Sequence, residues 1–481
     1  MEFTEILPQL TPDVQVETDW AGGLETLPSG KKRLLLMGQS LATGSEVVPT
    51  TVVTSNIRRV TSVAKAIAYW GSGSTLAMMC EAALKEAPTA TIYGTPYKWG
   101  TAAVAATGLV VVTGTASGSG ELKVRIAGQL LRVGIATTDT PTIIGAALAG
   151  AINALPNGPT TAVNTTGSVA LTARNKGTSG NLVKVRAEIT PGITSAVAVT
   201  PMASGATDGD VSVQLAVVEP ERWHLIAIDA SDATALGLLK THIEAQSKPA
   251  LKKWGFVIGA HVGTAATCQT LANTLDSYRV QIVWHQGSDQ PPYILAAVFA
   301  AARAKYDCKP SLDDEELLGI TTAYDTAVWP APGDIEEALE EGIVVLEPRR
   351  ESGKVTVVRS VVTRQTLPLA YRDHMIAEKS DYTDETLLAR FAYYKGKTLK
   401  TASPAGNPST VTPAKAVAIM NGALFDLDNL DILQGVKTAI AAGYNVAEAN
   451  ATDPDRIDLG CQFYPSRTAH FIAIKKTYVT G

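Results

Sequence analysis

Three histidines occupy positions where an α/β protein could do chemistry. His224, His261 and His285 each lie on or just after a short apolar run that reads as a β-strand. Ligands of open α/β sheets bind beyond the carboxyl ends of the strands. With Asp229, Cys268 and Asp289 close in the pattern, these side chains would supply the base and nucleophile of a hydrolase or transferase. That reading requires the three histidines to converge in one pocket. The Gly-x-Ser-x-Gly elbow that presents a serine nucleophile is absent, and the six histidines (His224, His242, His261, His285, His374, His470) show no metal-binding spacing.

A second candidate is Gly71-Ser72-Gly73-Ser74-Thr75-Leu76, which resembles half of a dinucleotide-binding turn. The third glycine is missing and no clean strand leads into it. A turn that caps a helix, with Ser74 as the cap, is the better reading. No phosphate-cradling Gly-x-x-x-x-Gly-Lys-Ser/Thr occurs. The acidic runs Asp313-Asp314-Glu315-Glu316 and Glu336-Glu337…Glu340-Glu341 lack the spacing of a calcium loop. They read as solvated faces or, with the basic group Arg349, Arg350, Lys354, Arg359 and Arg364, as complementary faces for head-to-tail docking of copies. Cys80, Cys268, Cys308 and Cys461 are scattered, which signals neither a zinc site nor a disulfide framework. No cofactor and no metal are expected.

The elements that must position these residues point to several domains. The chain has 481 residues, 46% hydrophobic and 18% charged, with a net charge of -5, too mild to imply a nucleic-acid or membrane-surface partner. The N-terminus has no basic and apolar leader pattern, and no apolar run approaches a membrane span, so neither secretion nor membrane insertion is expected. Residues 1–27, with Pro8 and Pro12, read as an extended arm. Residues 28–100 begin an α/β domain: a strand at Lys31–Gly38, helices at Thr61–Tyr69 and Ser74–Ala87, and a strand at Thr91–Tyr97.

Composition then shifts. From 101 to 210 Gly, Thr, Val and Ala dominate and turn signals recur. Strands are expected at Gly108–Thr115, Glu121–Ile126, Gln129–Ile135, Val169–Arg174, Val183–Ile189 and Ala196–Met202. One helix, Thr142–Leu155, carries Ile143, Ala147, Leu148 and Ile152 on a face. This is an inserted, mostly-β outer domain, whose excision is expected to leave assembly intact. From 211 to 330 strands alternate with helices again, which argues for a mostly parallel sheet covered on both sides. Residues 331–465 read as an inner α+β domain containing the hairpin Ile343–Glu347/Lys354–Thr363, helices at Glu385–Lys395, Pro413–Leu424 and Ile432–Ala442, and the aspartate-rich run from Asp453 to Asp458. Residues 466–481 form a C-terminal strand whose two faces are both half apolar; such a strand pairs at home or completes a neighbour's sheet.

Several of these stretches together resemble the Mu-like tail sheath proteins of contractile-tailed phages. They are Gly71-Ser-Gly-Ser-Thr-Leu-Ala77 with the helix after it and the strand Ala90–Pro96; Ala173-Arg-Asn-Lys-Gly-Thr-Ser-Gly-Asn181; Val357-Val-Arg-Ser-Val-Val-Thr-Arg-Gln365; and Asp453-Pro-Asp-Arg-Ile-Asp458 with the final strand. The stretch from Asp426 to Gln434 departs from the family's longer, more charged helix.

The resemblance implies a structural protein and no enzyme. Its subunits would polymerise as stacked hexameric rings around a tail tube and contract to drive the tube through the host envelope. The same role is filled in R-type pyocins and other contractile injection systems. Extended arms would exchange strands between subunits. Phe471, Ile472, Ile474 and Tyr478 are the expected exchanged strand, Val355, Val357 and Val358 the receiving hairpin, and Lys395, Lys397 and Lys400 a possible contact to an acidic tube. The implied partners are other copies of the chain, the tube protein, and baseplate and tail terminator proteins. The implied place is the virion tail, assembled in the host cytoplasm. The competing reading is the α/β hydrolase or transferase with an inserted β domain.

Overall fold

A computed structural model describes residues 32–46, 56–97, 99–306, 311–321, 326–349, 353–366, 371–400, 410–452 and 455–467. These residues form two compact units, one ending at Ala377 and one running from Glu378 to Arg467.

The larger unit begins with β1 (Arg33–Gly38), β2 (Arg58–Val60), α1 (Val63–Trp70), α2 (Thr75–Glu86) and β3 (Thr91–Pro96). An insert follows: β4 (Ala105–Thr113), β5 (Gly120–Ile126), β6 (Gln129–Ile135), α3 (Pro141–Asn153), β7 (Thr160–Thr165), β8 (Ser168–Lys176), β9 (Val185–Ile189) and β10 (Ala196–Ala203). The unit then resumes with α4 (Ser212–Val218), β11 (Leu225–Ile228), α5 (Ala233–Gln246), β12 (Phe256–His261), α6 (Ala265–Leu275), β13 (Val280–Trp284), α7 (Pro292–Ala304), β14 (Glu316–Leu317), α8 (Pro332–Glu340), β15 (Ile343–Pro348) and β16 (Val355–Arg359).

Outside the insert these strands make one nine-stranded sheet in the order β14-β16-β15-β13-β12-β11-β1-β3-β2. The central strands are parallel and both margins are antiparallel. The parallel strands are short, continuous apolar runs because both faces are covered: Leu34 to Met37, Val257, Ile258, Ile282 and Val283 are fully buried. On one face lie α2 and α7, on the other α5, α6 and α8. The alanines of α7 let that helix pack between the sheet and α2 with almost its whole length buried. Ser74 caps α2 as expected, its Oγ accepting from the Ala77 amide, and α5 is capped by Asp232, which accepts from the Thr234 and Ala235 amides.

The hairpin Ile343–Pro348/Val355–Arg359, expected in an inner C-terminal domain, belongs to this sheet instead. β15 pairs in parallel with β13, which commits the hairpin to the core of the larger unit. The chain runs from β1 out to β3 and returns to the other side of β1 with β11. That reversal is the switch point at which α/β sheets open a crevice.

The insert has its own apolar core, made by a four-stranded antiparallel sheet (β10-β4-β8-β7), a three-stranded one (β6-β5-β9) and α3. β7 was not expected, because Thr-Thr-Ala-Val-Asn-Thr is polar and lacks an aromatic or an apolar alternation. The buried stripe of α3 is Ile144, Gly145, Leu148, Ala149 and Ile152, while Ile143 is 53% exposed. The helix is therefore rotated by one residue from the expected face, because Gly145 is pressed against Asn164: a Cβ at Gly145 would fall 2.5 Å from the Asn164 side-chain oxygen.

The smaller unit takes in most of α9 (His374–Ala392) and contains β17 (Thr398–Leu399), β18 (Thr410–Val411), α10 (Pro413–Asn429), β19 (Leu433–Gln434), α11 (Val436–Ala441), β20 (Val446–Ala449), β21 (Ile457–Gly460) and β22 (Tyr464–Pro465). α10 extends past its expected end and buries Ala416, Met420, Ala423, Leu424 and Leu427. The strands form three two-stranded sheets, β17-β18, β19-β22 and β20-β21. Among the described residues no helix is long and apolar enough to cross a membrane.

Candidate functional site

The structure separates the three histidines. His261 ends β12 and His285 follows β13, so they are neighbours on adjacent strands, with the His285 amide donating to the His261 carbonyl at 3.2 Å. His224 precedes β11 and so lies at the opposite, amino end of the strands, where its Nδ1 accepts from the Arg33 amide at 3.1 Å. Strand direction alone forbids convergence. His285 Nδ1 contacts the Leu346 carbonyl at 3.1 Å and so must donate to it. Burial lowers the pKa of both His261 and His285, which favours neutral rings. Burial pushes the Cys268 thiol up, the reverse of what a thiolate nucleophile needs. Among the described residues no three His, Cys, Asp or Glu side chains are placed to hold a metal ion.

The switch point is filled by the protein itself. Asp229 ends β11 and is buried. It accepts from Thr75 Oγ1, from the Tyr97 hydroxyl and from the Gln39 amide at 3.2 Å. Burial raises its pKa from 3.8 to about 6, a shift its three donors only partly offset. Tyr97 is held well above its ordinary value by burial and by that carboxylate.

The Gly71–Ser74 turn is occupied as well. Asn157 of the insert accepts from the Gly73 amide at 2.7 Å, and Asn175 of the insert accepts from the Thr75 amide at 3.2 Å. Asn175 also donates to the Gly73 carbonyl at 2.7 Å. The free N–H groups of the α2 terminus, which a nucleotide phosphate would need, are already used. Gly73 has φ +83°, and a Cβ there would lie 2.3 Å from both Arg174 Cδ and the Gly158 carbonyl oxygen, so the turn needs glycine for close approach rather than for a pyrophosphate. Nothing in the sequence links these partners: Gly73 and Asn157 are 84 positions apart, Gly73 and Asn175 are 102.

The assembly residues divide three ways. Phe471, Ile472, Ile474 and Tyr478 lie outside the described residues. Val355 and Val357 are fully buried and Val358 is half-buried against the same core. Their strand, β16, has β15 on one edge, and on the other β14 together with the bonds from the Val357 amide to the Glu315 carbonyl and from the Asp314 amide to the Val357 carbonyl. An incoming strand would have to displace β14. Lys395, Lys397 and Lys400 are all exposed in one short stretch after α9, with Lys397 over the Tyr393 ring at 4.9 Å.

The acidic and basic blocks partner each other within the chain. Arg349 pairs with Asp314 at 2.6 Å, Lys354 with Glu316 at 2.6 Å and Arg364 with Asp276 at 3.2 Å. The exposed Glu336, Glu337 and Glu340 face of α8 keeps the expected solvated character.

The smaller unit exposes apolar side chains that the larger unit mostly hides. Tyr393, Leu430, Tyr444, Val446, Leu459 and Tyr464 are all exposed. In the β20-β21 hairpin Val446 pairs with Gly460 and Leu459 with Ala447. Directly paired residues share a face, so Val446 and Leu459 project from opposite faces and both remain in solvent.

No family model matches the chain. In sequence, it is 28% identical over 297 residues to the Mu-like prophage FluMu tail sheath protein of Haemophilus influenzae. The likeness is to a Mu-like tail sheath protein. The match spans 61% of this chain and 60% of that relative, so less than two thirds of the relative's length is matched. In structure, the sheath tail protein of Desulfitobacterium hafniense shares the fold, with a TM-score of 0.51 at 13% identity over 95% of this chain and 96% of that one. The sheath tail protein of Listeria innocua matches with a TM-score of 0.49 at 14% identity, over 91% of this chain and 92% of that one.

Proposed function

We propose that this chain is the structural subunit of a contractile tail sheath. It polymerises around a tail tube and contracts to drive the tube through a host envelope. The carrying observation is the sequence likeness to the Haemophilus influenzae tail sheath protein, taken with the fold shared with a second sheath protein. Two features of the chain support it. The switch point holds a closed hydrogen-bond network in place of a substrate cleft. The smaller unit leaves its apolar side chains in solvent, as a protomer does when neighbours complete its surface.

The finer reading is that copies stack as hexameric rings linked by exchanged strands, with Phe471, Ile472, Ile474 and Tyr478 on the donated strand. The receiving sheet is β20-β21 rather than β16. A two-stranded hairpin is marginal in water without further packing, and this one, although it meets α10, still exposes an apolar residue on each face. Strand addition satisfies the open backbone edge of the hairpin. Lys395, Lys397 and Lys400 face the tube protein, and baseplate and terminator proteins cap the polymer in the virion tail after assembly in the host cytoplasm.

Electron microscopy of the concentrated protein tests this. The expected result is hollow tubes from the full chain and none from a chain lacking Arg467–Gly481. Normal tubes from the truncated chain would sink strand exchange, and a full chain that never polymerises with a tube protein would sink the sheath reading.

A further inference from the structure

The insert has a core of its own and is joined to the sheet domain by two chain crossings, an arrangement that by itself permits hinge motion. Two contacts with the sheet domain, together with the crossing, remove that freedom at separate places. The first is the Gly71–Ser74 turn. Asn157 and Asn175 are both buried there, and each amide acts as donor and acceptor at once. Besides its bond from Gly73, the Asn157 side chain donates to Glu81 on α2 at 2.7 Å, and its backbone amide donates to Ser72 Oγ at 3.2 Å. The second lies beyond the end of β13, where Arg186 on β9 pairs with the buried Asp289 at 2.8 Å. Beside it the β5–β6 turn meets Gln290: Gly128 has φ +82°, and a Cβ there would fall 2.8 Å from Gln290 Cγ. Gln290 is itself fixed by bonds to the Gly319 carbonyl at 3.0 Å and the Thr321 amide at 2.9 Å. The third attachment is the covalent crossing, whose two chain segments are tied together within the insert: Asp208 accepts from the Thr178 amide at 2.6 Å and Val104 bridges to Ala206.

We propose that the insert is locked to the sheet domain as one rigid body, with Asn157 and Asn175 as the clamps that hold it on the switch-point turn. Two separated contacts together with the crossing fix an orientation, whereas the crossing alone leaves a pivot. Buried amides with every bond made are orientation-specific, because a small rotation breaks several bonds in a place water does not reach. The turn that would open a ligand crevice is thereby used as a socket. Excising residues 101–209 would strip Gly73, Thr75 and Asp289 of their partners, so the insert is a structural part of the sheet domain and its removal is not silent. The inference concerns the single chain and does not rest on the sheath reading.

Hydrogen–deuterium exchange on the full chain tests it, comparing wild type with Asn157→Ala, Asn175→Ala and Arg186→Ala. In wild type, the Gly73 and Thr75 amides are expected to exchange as slowly as those of β1. In either asparagine variant they are expected to exchange about tenfold faster, with new protease cleavage at the two crossings and unchanged protection of β4, β5 and β8. A wild-type turn that exchanges freely, or asparagine variants whose turn and crossings stay as protected as in wild type, would overturn the lock. The wild-type measurement and the half-exposed Arg186 variant stand even where an asparagine variant fails to fold.

Discussion

Thr75 and Asp229 are 154 positions apart and share a buried hydrogen bond at the switch point, the hydroxyl donating to the carboxylate. The first residue of α2 and the end of β11 thus close the crevice that this topology creates. The carboxylate has hydroxyl and amide donors around it and the Asp208 charge raising its pKa further, and the groups acting on it include no cation.

That environment sets a pH dependence. A folded pKa raised from 3.8 to about 6 means the folded state holds the proton more tightly than the unfolded chain. The associated stability is fully present below about pH 3.8 and is lost as pH rises through about 6. From pH 7.5 down to pH 5 the wild type should gain about 1.4 kcal/mol that Asp229→Asn does not gain, following the energy of about one pKa unit. Denaturant melts of both proteins at the two pH values check this, and parallel pH profiles would refute it.

The rotation of α3 makes two adjacent isoleucines unequal. Ile144 is 1% exposed and Ile143 is 53% exposed. Ile144→Ala should destabilise by about 2–4 kcal/mol through a cavity in the insert core. Ile143→Ala should stay within about 0.5 kcal/mol. The reverse order in thermal melts would show that the sequence periodicity had found the right face.

The ion pairs should differ in the same way. Arg349–Asp314 and Lys354–Glu316 lie on the surface, and Lys354→Ala should change stability by less than about 1 kcal/mol. Arg359 grips Asp373 with two bonds, at 2.8 and 3.1 Å, and both side chains are mostly buried. Arg359→Ala should therefore cost about 3 kcal/mol, because Asp373 keeps its charge in a dry place. Equal effects of the two substitutions would contradict this.

The exposed hairpin separates folding from assembly. Val446→Glu and Leu459→Glu place charge on the two faces of β20-β21, where both residues are solvent-exposed. Melting of the soluble chain should move by about 0.5 kcal/mol at most, while tube formation should be abolished. Tubes of normal length from both variants would remove this hairpin from the assembly surface.

The sequence by itself determined the alternation of strands and helices, the inserted β-rich module and the Ser74 cap of α2. These follow from local signals: short apolar runs, a shift to Gly, Thr and Val, and a Ser just before the periodic run of α2. It also carried the family likeness, through stretches that survive as motifs. Tertiary structure decided what period and spacing do not encode. Whether three strand-end histidines meet depends on strand direction, and His224 fell at the wrong end of its strand. Whether charged blocks face a neighbour or each other depends on which loops fold together, and Arg349 found Asp314 and Lys354 found Glu316 within the chain. Whether β16 has a free edge depends on where β14 lands. Whether a Gly-Ser-Gly-Ser turn holds a phosphate or an asparagine depends on a contact between residues about a hundred positions apart, and such a contact leaves no trace in local composition.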